Sequence, residues 1–122
     1  LNLARADLAE AEGAAAAALA AVDLAIEDLA AAEAQTDLRR QALERQIDID
    51  AQGAGSPQAV ETAELAVSAS EQAVLSRKQA LASARERVDQ TAVAVTRARV
   101  ALAEAERTLA NTVLTAGIGG RI

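Results

Sequence analysis

The sequence predicts an all-α protein, a long antiparallel two-helix coiled-coil hairpin, with a short β segment at its C-terminal end. Three observations point there. Of 122 residues, 35 are alanine and 28 are Leu, Val or Ile, while Phe, Tyr, Trp, Met and Cys are absent and proline occurs once. Alanine is the strongest helix former, and a core without aromatics has little bulk to build a thick centre. Apolar residues recur every seven positions through both halves of the chain, and the cluster of turn residues lies between those halves.

The first helix is expected over Leu1 to about Ala51. Its large heptad positions, a, fall at Leu1, Leu8, Ala15, Val22, Leu29, Thr36 and Leu43, and its d positions at Ala4, Ala11, Ala18, Ala25, Ala32 and Arg39. Residues 52–56 form the turn. Gly53 suits a left-handed C-terminal cap, and Ser56 followed by Pro57 is an N-cap with proline at the first helical position, where no N–H is needed.

The second helix is expected from Pro57 to about Asn111. Val60, Val67, Val74, Leu81, Val88, Val95, Leu102 and Leu109 repeat every seven residues, and Ala63, Ser70, Arg77, Ala84, Thr91, Ala98 and Ala105 follow three residues later. A strict heptad repeat drifts against 3.6 residues per turn and imposes a left-handed supercoil. At 1.5 Å per residue each helix is roughly 75–80 Å long, and a single short turn between them forces an antiparallel arrangement.

Large a residues facing small d residues fix a register: Leu8 meets Ala98, Val22 meets Ala84 and Leu81 meets Ala25, with the fold-back at Gly53. Charge agrees. Up to Leu38 the first helix carries eight acids against Arg5, and the second places Arg97 and Arg99, then Arg85, Arg77 and Lys78, opposite them. Exposed pairs are worth ~0–1 kcal/mol each, so they select the register more than they stabilise it.

Composition also excludes functions. Without His or Cys there is no imidazole base, thiolate, disulfide or usual zinc ligand set. A net charge of −6 argues against a duplex nucleic-acid partner, and the absence of aromatics removes stacking on single strands. Carboxylates are plentiful, but two helices offer no pocket to desolvate them, so no catalytic, metal or cofactor site is expected. The alanine block from Ala14 to Ala21 is too short and weakly apolar to span a bilayer. The acidic polar face of helix one lacks the residues of an interfacial helix. Leu1 already lies inside the heptad pattern, so any targeting segment is expected elsewhere in a longer reading frame.

Residues 112–122, Thr112-Val113-Leu114-Thr115-Ala116-Gly117-Ile118-Gly119-Gly120-Arg121-Ile122, are β-branched and then glycine-rich, which reads as a strand entering a turn. A lone strand needs a partner for its backbone groups, so the hairpin is expected to be an insertion in a β-domain. The junction from Leu109 to Ile122, with Ala110, Thr112, Leu114, Ala116 and Gly120, resembles the segment L-A-x-T-x-[IV]-x-[AS]-P-x-x-G-x-[IV] of membrane fusion proteins, the HlyD-like periplasmic adaptors of tripartite efflux pumps and type I secretion systems. Gly117 stands where that family usually has proline.

The resemblance implies that residues 112–122 begin the second half of a lipoyl-like β-domain. It further implies a periplasmic protein anchored to the inner membrane, whose partners are an inner-membrane transporter, a TolC-like outer-membrane channel and further copies of itself. Lys78, the single lysine, lies mid-helix, so no lipoyl attachment is expected.

Many such adaptors carry Arg-x3-Leu-x6-Ser around the hairpin turn to engage the channel entrance. Arg45, Ile49 and Ser56 have that spacing here, with Ile in place of Leu. The implied roles are an arginine fork to carboxylate or carbonyl, an apolar knob and a serine near the contact. Without the resemblance, Ser56 is an N-cap, Arg45 a solvated helix residue and Ile49 the last apolar contact before the turn. Ala66, Ala73, Ala80, Ala94 and Ala101 form a small-residue stripe beside the seam, read either as its widened edge or as a lateral contact between hairpins. The competing reading of the whole chain is a coiled-coil scaffold or dimerisation rod with no transport role.

Overall fold

The computed structural model describes residues 1–119. Two helices make up the hairpin, α1 over Asn2–Ala51 and α2 over Pro57–Gly119. They pack antiparallel on the heptad seam, and their contacts group the chain into two units. One is Ala21–Ala84, which contains the turn; the other joins Leu1–Ala20 to the residues from Arg85 onward.

In the turn-containing unit Thr36, Val67 and Leu81 are buried, and Val22, Ala25, Leu29, Ala32, Leu43, Val60, Ala63, Ser70, Val74 and Ala84 are half-buried. In the other unit Ala18, Thr91 and Val95 are buried, and Leu8, Ala11, Ala15, Val88, Ala98, Leu102 and Ala105 are half-buried. All of these are a or d positions; the further half-buried Ala42, Ala59 and Ala66 are g positions at the edge of the seam near the turn. The period read from sequence therefore selects most of the interface in the turn-containing unit and that of the other unit. Bulky aliphatics set over alanines let the two backbones approach while removing each Leu or Val from water. Full burial of such a side chain is worth about 1.5–3 kcal/mol, and the half-burial here gives a fraction of that.

Polar residues in the seam are accommodated in different ways. The Thr36 hydroxyl donates to the Ala32 carbonyl at 2.9 Å, and the Thr91 hydroxyl to the Val88 carbonyl at 2.9 Å. These bonds inside one helix let threonine be buried without an unpaired hydroxyl. Arg39 instead stays exposed, while Val67, assigned opposite it by the register, is only 8% exposed. An arginine covers apolar surface with its methylene stem and keeps its head in water.

Two ion pairs join α1 to α2 among the described residues. Arg40 donates from Nη2 to Glu71 Oε1 at 3.2 Å in the turn-containing unit, and Arg99 Nη2 lies 4.0 Å from Glu12 Oε1 in the other. Arg40 and Glu71 flank the expected layer of Arg39 over Val67, and Glu12 and Arg99 flank Ala11 over Val95. Each flanking residue follows its layer residue along its own helix, and side chains lean back toward the helix N-terminus, which brings the two together. The register expected from large-on-small packing is therefore present in each unit.

The expected C-terminal β segment is corrected. Thr112 to Gly119 continue α2, and the described residues contain no strand. Extending an existing helix adds one hydrogen bond per residue fixed and needs no new nucleus, whereas a lone strand has nothing to pair with. The Thr112 hydroxyl donates to the Thr108 carbonyl at 2.8 Å, so even this β-branched residue has a helical partner. Val113 and Leu114 are 63% and 64% exposed, so no packing opposes the helix. Gly120, Arg121 and Ile122, the rest of the expected β segment, lie outside the described residues.

Candidate partner-binding tip

The turn is built from two helix caps. Gly53 has a φ of 76°, in the left-handed region where a Cβ is strained. Its N–H donates to the Asp50 carbonyl at 3.0 Å, and the Ala54 N–H donates to the Ile49 carbonyl at 3.1 Å. This crossed pair is the Schellman arrangement, and it satisfies carbonyls that the end of α1 leaves open. On the far side the Ala59 N–H donates to Ser56 Oγ at 3.1 Å, with Pro57 at the first helical position.

Gly55 sits directly against α1. A Cβ there would stand 2.9 Å from Ile49 Cγ2 and 3.2 Å from the Asp50 backbone nitrogen. Only glycine lets the chain pass this closely over the last turn of α1. Ile49 thus has two surfaces. One packs under the turn, while 38% of the residue remains open to solvent.

The three residues singled out from sequence are at the tip. Arg45 is exposed one helical turn before Ile49, on the same face of α1, and forms no ion pair among the described residues. Ser56 is exposed and caps α2 through its oxygen. Its oxygen accepts from Ala59, which leaves the hydroxyl proton free to donate. The N-cap and turn-contact roles are thus present at Ser56 and Ile49, and Arg45 is the member of the set without a structural task. Sequence reasoning missed Gly55, whose need for a bare Cα comes from a tertiary approach that no periodicity encodes.

The two flanks of the turn-containing unit differ in chemistry. One is lined by Glu33, Asp37, Arg40, Glu71 and Lys78. The other is lined near the tip by Arg39, Ala42, Gln46, Gln58, Ala59 and Ala66, with Arg39 its one charged residue and with the three alanines and Gln46 half-buried. Ala66 of the small-residue stripe is therefore partly enclosed by its own hairpin, the widened-edge behaviour. Ala73, Ala80, Ala94 and Ala101 are exposed.

Among the described residues no helix is long and apolar enough to cross a membrane, and no cluster of acidic residues could hold a metal ion. Comparison of the chain with known protein families, curated proteins and solved structures yields no match.

Proposed function

We propose that this hairpin is the spacer and docking arm of a periplasmic adaptor, which engages the α-helical entrance of a TolC-like outer-membrane channel through Arg45, Ile49 and Ser56. The observation that carries the reading is the tip: an uncommitted guanidinium and a half-open aliphatic one turn apart, on a helix end held by two caps and a glycine contact. A fixed backbone lowers the ordering cost of binding. Arg45 offers a planar donor fork to a carboxylate or to carbonyls at a helix end, Ile49 a small apolar knob, and Ser56 one donor. In this reading the inner-membrane transporter and neighbouring adaptor copies are bound through other parts of a longer, membrane-anchored periplasmic protein.

The test is capture of a trimeric outer-membrane channel by the hairpin. Binding lost in Arg45→Asp, with helicity unchanged, supports the reading. Equal binding by wild type and variant removes the tip assignment, and no binding by either removes the adaptor reading.

A second reading, a coiled-coil scaffold without a transport role, is favoured by one observation. Thr112–Gly119 are helical where an adaptor junction is expected to leave the hairpin as a strand. It predicts no channel binding at all.

A further inference from the structure

The seam of this hairpin does not by itself define a unique register. Most a residues are large and most d residues small on both helices, so sliding α2 by one heptad sets many aliphatics over alanines again. The interruptions at Ala15, Thr36, Arg39, Ser70, Arg77 and Thr91 distinguish the registers only locally, and charges beside the seam can add a second discriminator. The turn fixes the register at one end. We infer that the e positions form a charge key that excludes heptad slips along the helices.

The two observed cross-helix ion pairs, Arg40–Glu71 and Glu12–Arg99, are both between e positions. From the first to the second, α1 steps back by 28 residues and α2 forward by 28, four heptads on each. The same rule generates two more rungs. One heptad from Arg40–Glu71 stand Glu33 and Lys78, which line the same flank of that unit. One heptad from Glu12–Arg99 stand Arg5 and Glu106. All four charged rungs join opposite signs, and α1 carries them in the order plus, minus, minus, plus: Arg5, Glu12, Glu33, Arg40.

This mixture of signs in one row penalises both neighbouring registers. Sliding α2 by one heptad in one direction sets Glu12 against Glu106 and Arg40 against Lys78, and keeps one attraction, Glu33 with Arg85. Sliding it in the other direction sets Arg5 against Arg99 and Glu33 against Glu71, and keeps Arg40 with Glu64. Each rung is solvent-exposed and individually weak, but a slip exchanges two ion pairs and two further opposite-sign rungs for one opposite-sign rung and two like-sign ones. Summed, this corresponds to a preference of about tenfold or more at low salt. A strictly like-signed e row on each helix would stabilise the hairpin equally and discriminate nothing.

The experiment relaxes the turn and reads the register directly. A flexible glycine–serine heptad inserted after Ala54 removes the turn's control. Because the chain has no cysteine, Val22→Cys with Ala84→Cys reports the native register, and Val22→Cys with Thr91→Cys reports the slip. With native charges the 22/84 disulfide should dominate about tenfold. Lys78→Glu with Glu106→Arg makes two native rungs repulsive and all three charged rungs of the slipped register attractive, so the 22/91 disulfide should take over. Glu33→Lys with Lys78→Glu restores opposite signs in the native register and should return the 22/84 product. Molar salt should flatten the difference, since screening acts within a few ångströms there. Equal yields of the two disulfides with native charges, or a product ratio unmoved by the charge exchanges at low salt in variants of unchanged helicity, would overturn the key.

Discussion

Gly55 passes so close to Ile49 that a Cβ on the glycine would stand 2.9 Å from the isoleucine Cγ2. The tip is therefore a packed corner in which backbone and side chain fit only because one residue lacks a side chain. Gly55→Ala must push against Asp50 backbone as well as Ile49, and overpacking of this kind costs about 1–3 kcal/mol. Thermal unfolding followed by circular dichroism should show Gly55→Ala and Gly53→Ala both destabilised, the latter by about 1 kcal/mol through its left-handed φ.

Gly13 is the opposite case. It lies inside α1, and a Cβ there meets nothing within 4 Å. Gly13→Ala should stabilise the hairpin by about 0.5–1 kcal/mol, because alanine loses less backbone freedom on entering a helix. A lowered midpoint in urea would contradict this.

Thr36 occupies an a position at 3% exposure with its hydroxyl tied to the Ala32 carbonyl. Thr36→Val keeps the β-branched shape, removes a buried polar group and leaves that carbonyl its helical hydrogen bond. The expected gain is about 0.5–1 kcal/mol, readable as a higher unfolding midpoint with an unchanged denaturant slope.

Arg40 and Glu71 should show coupling of about 0.3–1 kcal/mol in a double-mutant cycle with alanine at low salt, falling toward zero at molar salt. Both side chains are half exposed, so a coupling of several kcal/mol would mean a more enclosed pair than the one described.

Arg45→Asp is the clean probe of the tip, because Arg45 supports no described contact that holds the turn. It should leave the unfolding midpoint within about 0.5 kcal/mol of wild type while abolishing channel capture. Ile49→Asp reads less clearly, since it also removes the contact beneath Gly55.

The seam and the turn were legible because each rests on a local signal with a single physical meaning. A seven-residue recurrence of Val and Leu selects one helix face, and Gly53 with Ser56-Pro57 marks a helix end and a helix start. Large-on-small packing then gave the register, down to the layers flanked by Glu12–Arg99 and Arg40–Glu71. The second pair was harder to foresee, because near the turn the signs exchange helices and the overall acid–base asymmetry of α1 and α2 hides it. Thr112–Gly119 misled because β-branched residues favour strands only when a neighbouring strand is there to receive them. Without one, a helix already growing from Pro57 simply continues. At the tip, the spacing of Arg45, Ile49 and Ser56 could be read, but Ile49's engagement with Gly55 depends on the path of the turn in space.

The fold-back itself is tested most directly by electron–electron distance measurement between spin labels at Ala34 and Gln72, solvent-facing heptad positions in the turn-containing unit, diluted with unlabelled protein. Packed antiparallel helices place these positions about 20–30 Å apart, given interaxial distances of 8–10 Å and the width of two helices. A single narrow distribution in that range is the predicted result. A distance near 57 Å, the rise of a continuous helix across the intervening residues, would contradict the hairpin.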